Sequence, residues 1–267
     1  SGNALPTWLT FTPSTRTFSG TPTAANIGDY LITVIANDGN GEEVEDSFTL
    51  SVALNRPKPI SVQSLNSDGR YKIGDVLTLQ ITFDQIVTVV GTPALSLETG
   101  AVGTVAIYSA GSGSSSLSFE YKVEEGQISS DLDYVSSGSL TLNGGSILNS
   151  NEIDADLTLP SPSSTGSLSA NSAIQVDGIR PTASIEVTTT NLIYGNKSKV
   201  TVTFSEGIAE LLSTHFTVEN GEISDPDSDD GVVWTFDLTP TIGIEDPTNL
   251  IVLDNTAVVD LAGNAGV

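Results

Sequence analysis

The chain has 267 residues, room for two or three domains, and sets 33 Asp and Glu against 9 Lys and Arg for a formal charge of −24. A surface this negative repels phosphate backbones and anionic bilayers, so nucleic acid is excluded as a partner. No apolar run of about 18 residues exists to insert into a membrane, and with no cysteine and one histidine the chain offers no disulfide, no thiol nucleophile and no zinc cluster.

In chain order, residues 31–36 and 47–53 alternate apolar and polar side chains as half-buried strands do, and Asp38-Gly39-Asn40-Gly41 between them has the chemistry of a hairpin turn. The same period predicts strands at 76–83, 116–123, 139–142, 183–188, 199–204, 232–238 and 249–253, with the Gly/Ser-rich stretch 109–116 as a hairpin loop. Helical periodicity is confined to about one turn at 208–213. Short strands at this spacing with turn residues between them predict an all-β chain of tandem sandwiches arranged end to end. Two proline-marked connectors, Asn55-Arg56-Pro57-Lys58-Pro59 and Asp177-Gly178-Ile179-Arg180-Pro181, divide it into segments 1–54, 55–178 and 179–267.

Three sets of motifs resemble known families. Residues 4–52, through WLTF at 8–11, TRTFSGTP at 15–22 and ANDGNG at 36–41, resemble the dystroglycan-type cadherin-like module, with Trp8 and Phe18 as expected core anchors. Residues 61–177, through DGRYKIGDVLTLQITFDQIVTV at 68–89, GTPALSLETG at 91–100 and DADLTLP at 154–160, look like the bacterial Ig-like repeats of giant surface adhesins. Residues 181–266 resemble another such repeat through VTFSEGI at 202–208, HFTVENGEIS at 215–224 and DLAGNAG at 260–266. The resemblance implies Ig-like and cadherin-like sandwiches from a bacterial cell surface, commonly calcium-dependent. It also implies that the first module lacks its opening strands and the third its last.

Calcium is the expected cofactor, because it takes six to eight hard oxygens and the acids of this chain gather at turns and connectors. The resemblance puts Asp38 at a position that points toward a domain junction, while Arg56 in the first connector opposes a cation there. The second connector is the stronger candidate: Asp177 lies in it, Asp154 and Asp156 lie in a motif the fold could bring near, and Asp260 and Asn264 flank a glycine turn that could fold back to the same pole. An Asp-rich turn also caps its own backbone without any metal. The run Asp225-Pro226-Asp227-Ser228-Asp229-Asp230-Gly231 opens like an EF-hand loop but reaches Phe236 where the bidentate glutamate belongs, so it reads as an acidic hairpin tip. His215 reads as a strand residue, not a general base, and no motif supports enzymatic chemistry.

The expected function is a calcium-stiffened extender of an extracellular bacterial surface adhesin, serving cell adhesion or biofilm attachment. Its partners would be neighbouring domains of the same large polypeptide, with surface glycans or proteins as further candidates. The alternatives are a carbohydrate- or peptide-binding recognition module, or a subunit of an extracellular filament that accepts strands from a neighbour.

Overall fold

The computed structural model describes residues 4–100, 104–193 and 195–267. The chain is all-β, built as tandem Ig-like sandwiches.

The first segment contains strands β1 (Leu9–Thr12), β2 (Thr17–Gly20), β3 (Gly28–Asn37) and β4 (Glu43–Val52), paired as two separate antiparallel ribbons, β1-β2 and β3-β4. The ribbons meet where Phe18, packed on Phe11 of its own ribbon at 4.7 Å, stands edge-on to Phe48 at 5.6 Å, and where Trp8 stands edge-on to Tyr30. Two facing ribbons cover little area. Among the described residues only Leu9 and Ile32 are buried, and Trp8 and Phe18, the expected anchors, are half-buried.

The second segment holds β5 (Pro59–Ser64), β6 (Gly69–Lys72), β7 (Val76–Val90), β8 (Ala94–Ser96), β9 (Val105–Ala110), β10 (Ser114–Lys122), β11 (Ile128–Ser129), β12 (Leu140–Thr141), β13 (Ser146–Leu148), one helical turn α1 (Leu168–Asn171) and β14 (Ile174–Asp177). A seven-stranded sheet runs β12-β8-β9-β10-β7-β13 with β5 also on β7, and faces the three-stranded sheet β11-β14-β6. Leu77, Leu79, Ile81 and Phe83 of β7 and Leu117, Phe119 and Tyr121 of β10 alternate inward, and all are at most 2 % exposed. Polar groups buried beside them are paired: Gln127 accepts from the Tyr121 hydroxyl at 2.7 Å and donates to the buried Thr104 at 3.1 Å.

The third segment holds β15 (Ala183–Val187), β16 (Ser198–Phe204), β17 (Phe216–Val218), β18 (Gly221–Ile223), β19 (Val233–Pro240) and β20 (Ile251–Leu253). The sheet β15-β16-β19-β18 packs on the pair β17-β20 around Val200, Val202, Phe204, Phe236 and Val258.

Two local expectations are corrected. The helical turn expected at 208–213 is a 3₁₀ turn at Ser213–His215, because Ile208 pairs with Asp260 as an isolated bridge and holds the preceding backbone extended. His215 therefore stands at the end of that turn, not in a strand, and its Nδ1 accepts the Leu212 amide at 3.2 Å.

The difference in coverage sets local stability. Amide hydrogen exchange of the intact chain should show β7 and β10 strongly protected and the ribbon β3-β4 exchanging by local opening; uniform protection across both would refute this ordering.

Candidate metal centre

The second connector and the closing turn of the third segment meet at one pole. Asp260 sits at the head of a tight turn in which its Oδ1 accepts the amides of Ala262, Gly263 and Asn264 at 2.7, 2.6 and 2.9 Å. Gly263 stands at φ 94°, where a side chain would strain the backbone. The turn delivers Asn264 into a buried position, 3 % exposed. Its Oδ1 accepts the Ile73 amide of the second segment at 2.9 Å, and its Nδ2 donates to the Asp177 carbonyl at 2.9 Å and to Asp260 Oδ2 at 2.8 Å. Lys72 Nζ adds a contact to the Gly263 carbonyl at 3.2 Å, and Arg180 one to the Ala265 carbonyl at 3.1 Å. Asn264 is thus a hydrogen-bonded plug between two sandwiches.

This packing gathers charge. One carboxylate oxygen from each of Asp177, Glu206 and Asp260 lies within 4.8 Å of the other two. Two oxygens bound to one calcium at 2.3–2.6 Å stand at most about 5 Å apart, so the spacing admits a shared ion. Glu206 Oε1 is buried without a hydrogen-bond partner, an orphaned acceptor of the kind that a cation or a proton satisfies. Burial pushes the Glu206 carboxyl up to about 7 from an ordinary 4.5; Asp177 and Asp260 push it the same way, and Arg70 opposes them. The residues fit a hard divalent cation. Asp177, Glu206 and Asp260 would hold it, the last through Oδ2, since Oδ1 already accepts three amides.

The other expected ligands lie elsewhere. Asp154 and Asp156 are at the first connector, where Arg56 Nη1 reaches the Asp154 carbonyl at 3.3 Å and the Asp156 amide donates to Pro57 at 2.8 Å. The fold does not bring them to Asp177, because the pairing of Asp154 with Leu148 ties their strand to the pole where the segment begins. Asp156 is held below the usual carboxylate range by the Thr158 hydroxyl and amide. Asp38 is exposed, and its Oδ1 accepts the Asn40 and Glu42 amides at 2.7 and 3.2 Å, an Asx cap. Asp230 caps the acidic hairpin tip in the same way through the Val232 and Val233 amides. Asn264, expected as a ligand, spends its side-chain groups on the interlock. Glu206 was missed; the signal available was an acid placed two residues past the end of a strand, within VTFSEGI.

Two outcomes follow from this geometry. In metal-free protein the folded state holds the Glu206 proton more tightly than the unfolded state does, so stability falls as pH rises from about 4.5 through about 7, with the full penalty present above. Melts in chelator should show Glu206→Gln gaining on the parent chain as pH is raised from acid to mildly basic; a constant difference would contradict the assignment. Asn264→Ala strands the Ile73 amide and the Asp177 carbonyl and should cost on the order of 2–3 kcal/mol, read by denaturant unfolding, with loss of exchange protection at Ile73.

No curated protein matches the chain. Residues 1–53 match the family model of a putative Ig domain, and residues 177–267, which include all three clustered carboxylates, match that of a bacterial Ig-like domain.

Proposed function

We propose that this chain is an extender segment of a bacterial cell-surface adhesin, exported to the extracellular face and stiffened by calcium, where it holds a binding region away from the cell for adhesion or biofilm attachment. The observation that carries this reading is the plugged joint between the second and third sandwiches, with three carboxylates beside it. A spacer resists bending only if its joints do, and a hydrogen-bonded plug removes hinge freedom that a flexible linker would keep. The bacterial Ig-like match and the strongly acidic surface agree with such a role. The first module is read as a cadherin-like variant of the same sandwich, on the WLTF and ANDGNG motifs.

Calcium would act here by bridging acids that otherwise repel one another across a few ångströms. Asp177 leaves the second sandwich at the end of β14, while Glu206 and Asp260 belong to the third, so one ion would fasten the connector to the module that follows. No enzymatic role is part of this reading.

Calcium should raise the melting temperature and narrow the small-angle scattering profile of the intact chain relative to chelator at matched ionic strength. Asp177→Asn with Glu206→Gln should abolish that response, whereas Asp38→Asn should leave it intact. A calcium response that survives the double substitution would place the ion elsewhere; no response at all would remove calcium from the proposal.

A further inference from the structure

The two sheets of the third sandwich are unequal. Four strands face two, and the two-stranded side does not cover β15. Ile185 and Val187 pair with Val202 and Val200, and cross-strand partners share a face. Val200 and Val202 are 0 % exposed, yet Ile185 on the same face is 36 % exposed. The uncovered strip opens into a cleft of about 970 Å³ between Ile185, Val187 and Leu238 on one wall and Val218 and Ile251 on the other.

Beside it β20 has an unused edge, for among the described residues it pairs with β17 alone. The amide of Asp254 donates to His215 and that of Glu219 to Leu250, which makes these the hydrogen-bonded pairs of the ribbon. Antiparallel pairs alternate, so Ile251 and Leu253 turn their N–H and C=O groups to the open side. An extended chain laid there would gain backbone bonds to β20 and place every second side chain over Ile185 and Val187, the mode by which peptides add to sheet edges.

Charge selects among occupants. Glu219, Glu245 and Asp246 line the cleft, and no Lys or Arg is among its lining residues. A second copy of a chain with 33 acids and 9 bases is a poor match for that rim, whereas a basic segment is a good one. We infer that the cleft is an acceptor groove for an extended segment of a different polypeptide, with alternating apolar side chains flanked by lysine or arginine.

The test uses the intact chain and three short synthetic peptides: valine alternating with threonine and a lysine at each end, the same peptide with glutamate ends, and a lysine-ended version interrupted by proline. Titration at physiological salt should give binding of the first alone, with new hydrogen-exchange protection at Ile251 and Leu253. Ile185→Glu should weaken that binding about tenfold by placing a charge against the incoming apolar side chains. Nonspecific attraction to an acidic protein would instead strengthen with the added charge. Glu245→Lys, at an exposed rim position, should weaken it about threefold, mainly in association rate. Equal binding of the glutamate-ended peptide, no binding of any, protection appearing elsewhere, protection already present without peptide, or a self-association that occupies the same edge would each overturn the inference.

Discussion

The Asn264 side chain is the contact on which the arrangement of the second and third sandwiches depends. It reaches a backbone amide of one sandwich, a backbone carbonyl of the connector and a carboxylate of its own turn. An amide is suited to this place because it presents a donor and an acceptor side by side, while an aspartate in the same position would set a second negative oxygen against Asp260 and the Asp177 carbonyl. The turn that carries it is organised by Asp260, whose Oδ1 collects three successive amides. Interlock and charge cluster are therefore one construction: seating Asn264 brings Asp260 beside Asp177 and Glu206, and the repulsion among those acids is what a cation or a proton on Glu206 relieves.

Sheet coverage separates the three segments. In the second, seven strands face three, and β7 and β10 contribute side chains that are almost wholly withdrawn from water. In the first, two ribbons leave Val44 73 % and Leu31 73 % exposed, so its cohesion rests on a few aromatic edge contacts. The third is intermediate: its core is closed over β16 and β19 and open over β15. Burial of apolar area, roughly 25 cal/mol per Å², concentrates stability in the middle of the chain and leaves sheet edges available on either side of it.

Acids at several turns serve the backbone. Asp230 and Asp246 lie below the usual carboxylate range, the first mainly through the Val233 and Val232 amides and the second through the Thr248 hydroxyl and amide. Such carboxylates are already satisfied by neutral donors. Glu206 differs in kind, since it has an acceptor oxygen buried without a donor and two acids beside it. This contrast separates a satisfied cap from a carboxylate left without donors, which acid density does not: the run at 225–231 is the more acidic stretch, and Asp230 there spends its oxygen on local amides.

Period-two alternation was sufficient to place β7, β10, β15, β16 and β19 and hence the all-β class, because strand side chains reveal their face without reference to any partner. Turn chemistry likewise disclosed the β3-β4 hairpin. The poles were not legible. Asp154 and Asp156 read as neighbours of Asp177, yet the Leu148–Asp154 bridge carries them to the opposite connector, and Glu206 gave no sign in the sequence that Ile208 would pair with Asp260 and draw it inward. Nor could local pattern foretell that Asn264 would bridge two sandwiches, since its partners are 191 and 87 residues away. Sequence by itself determined which residues form strands and turns, as those depend on near neighbours; which acids meet, and which side chain locks the joint, is decided by long-range packing alone.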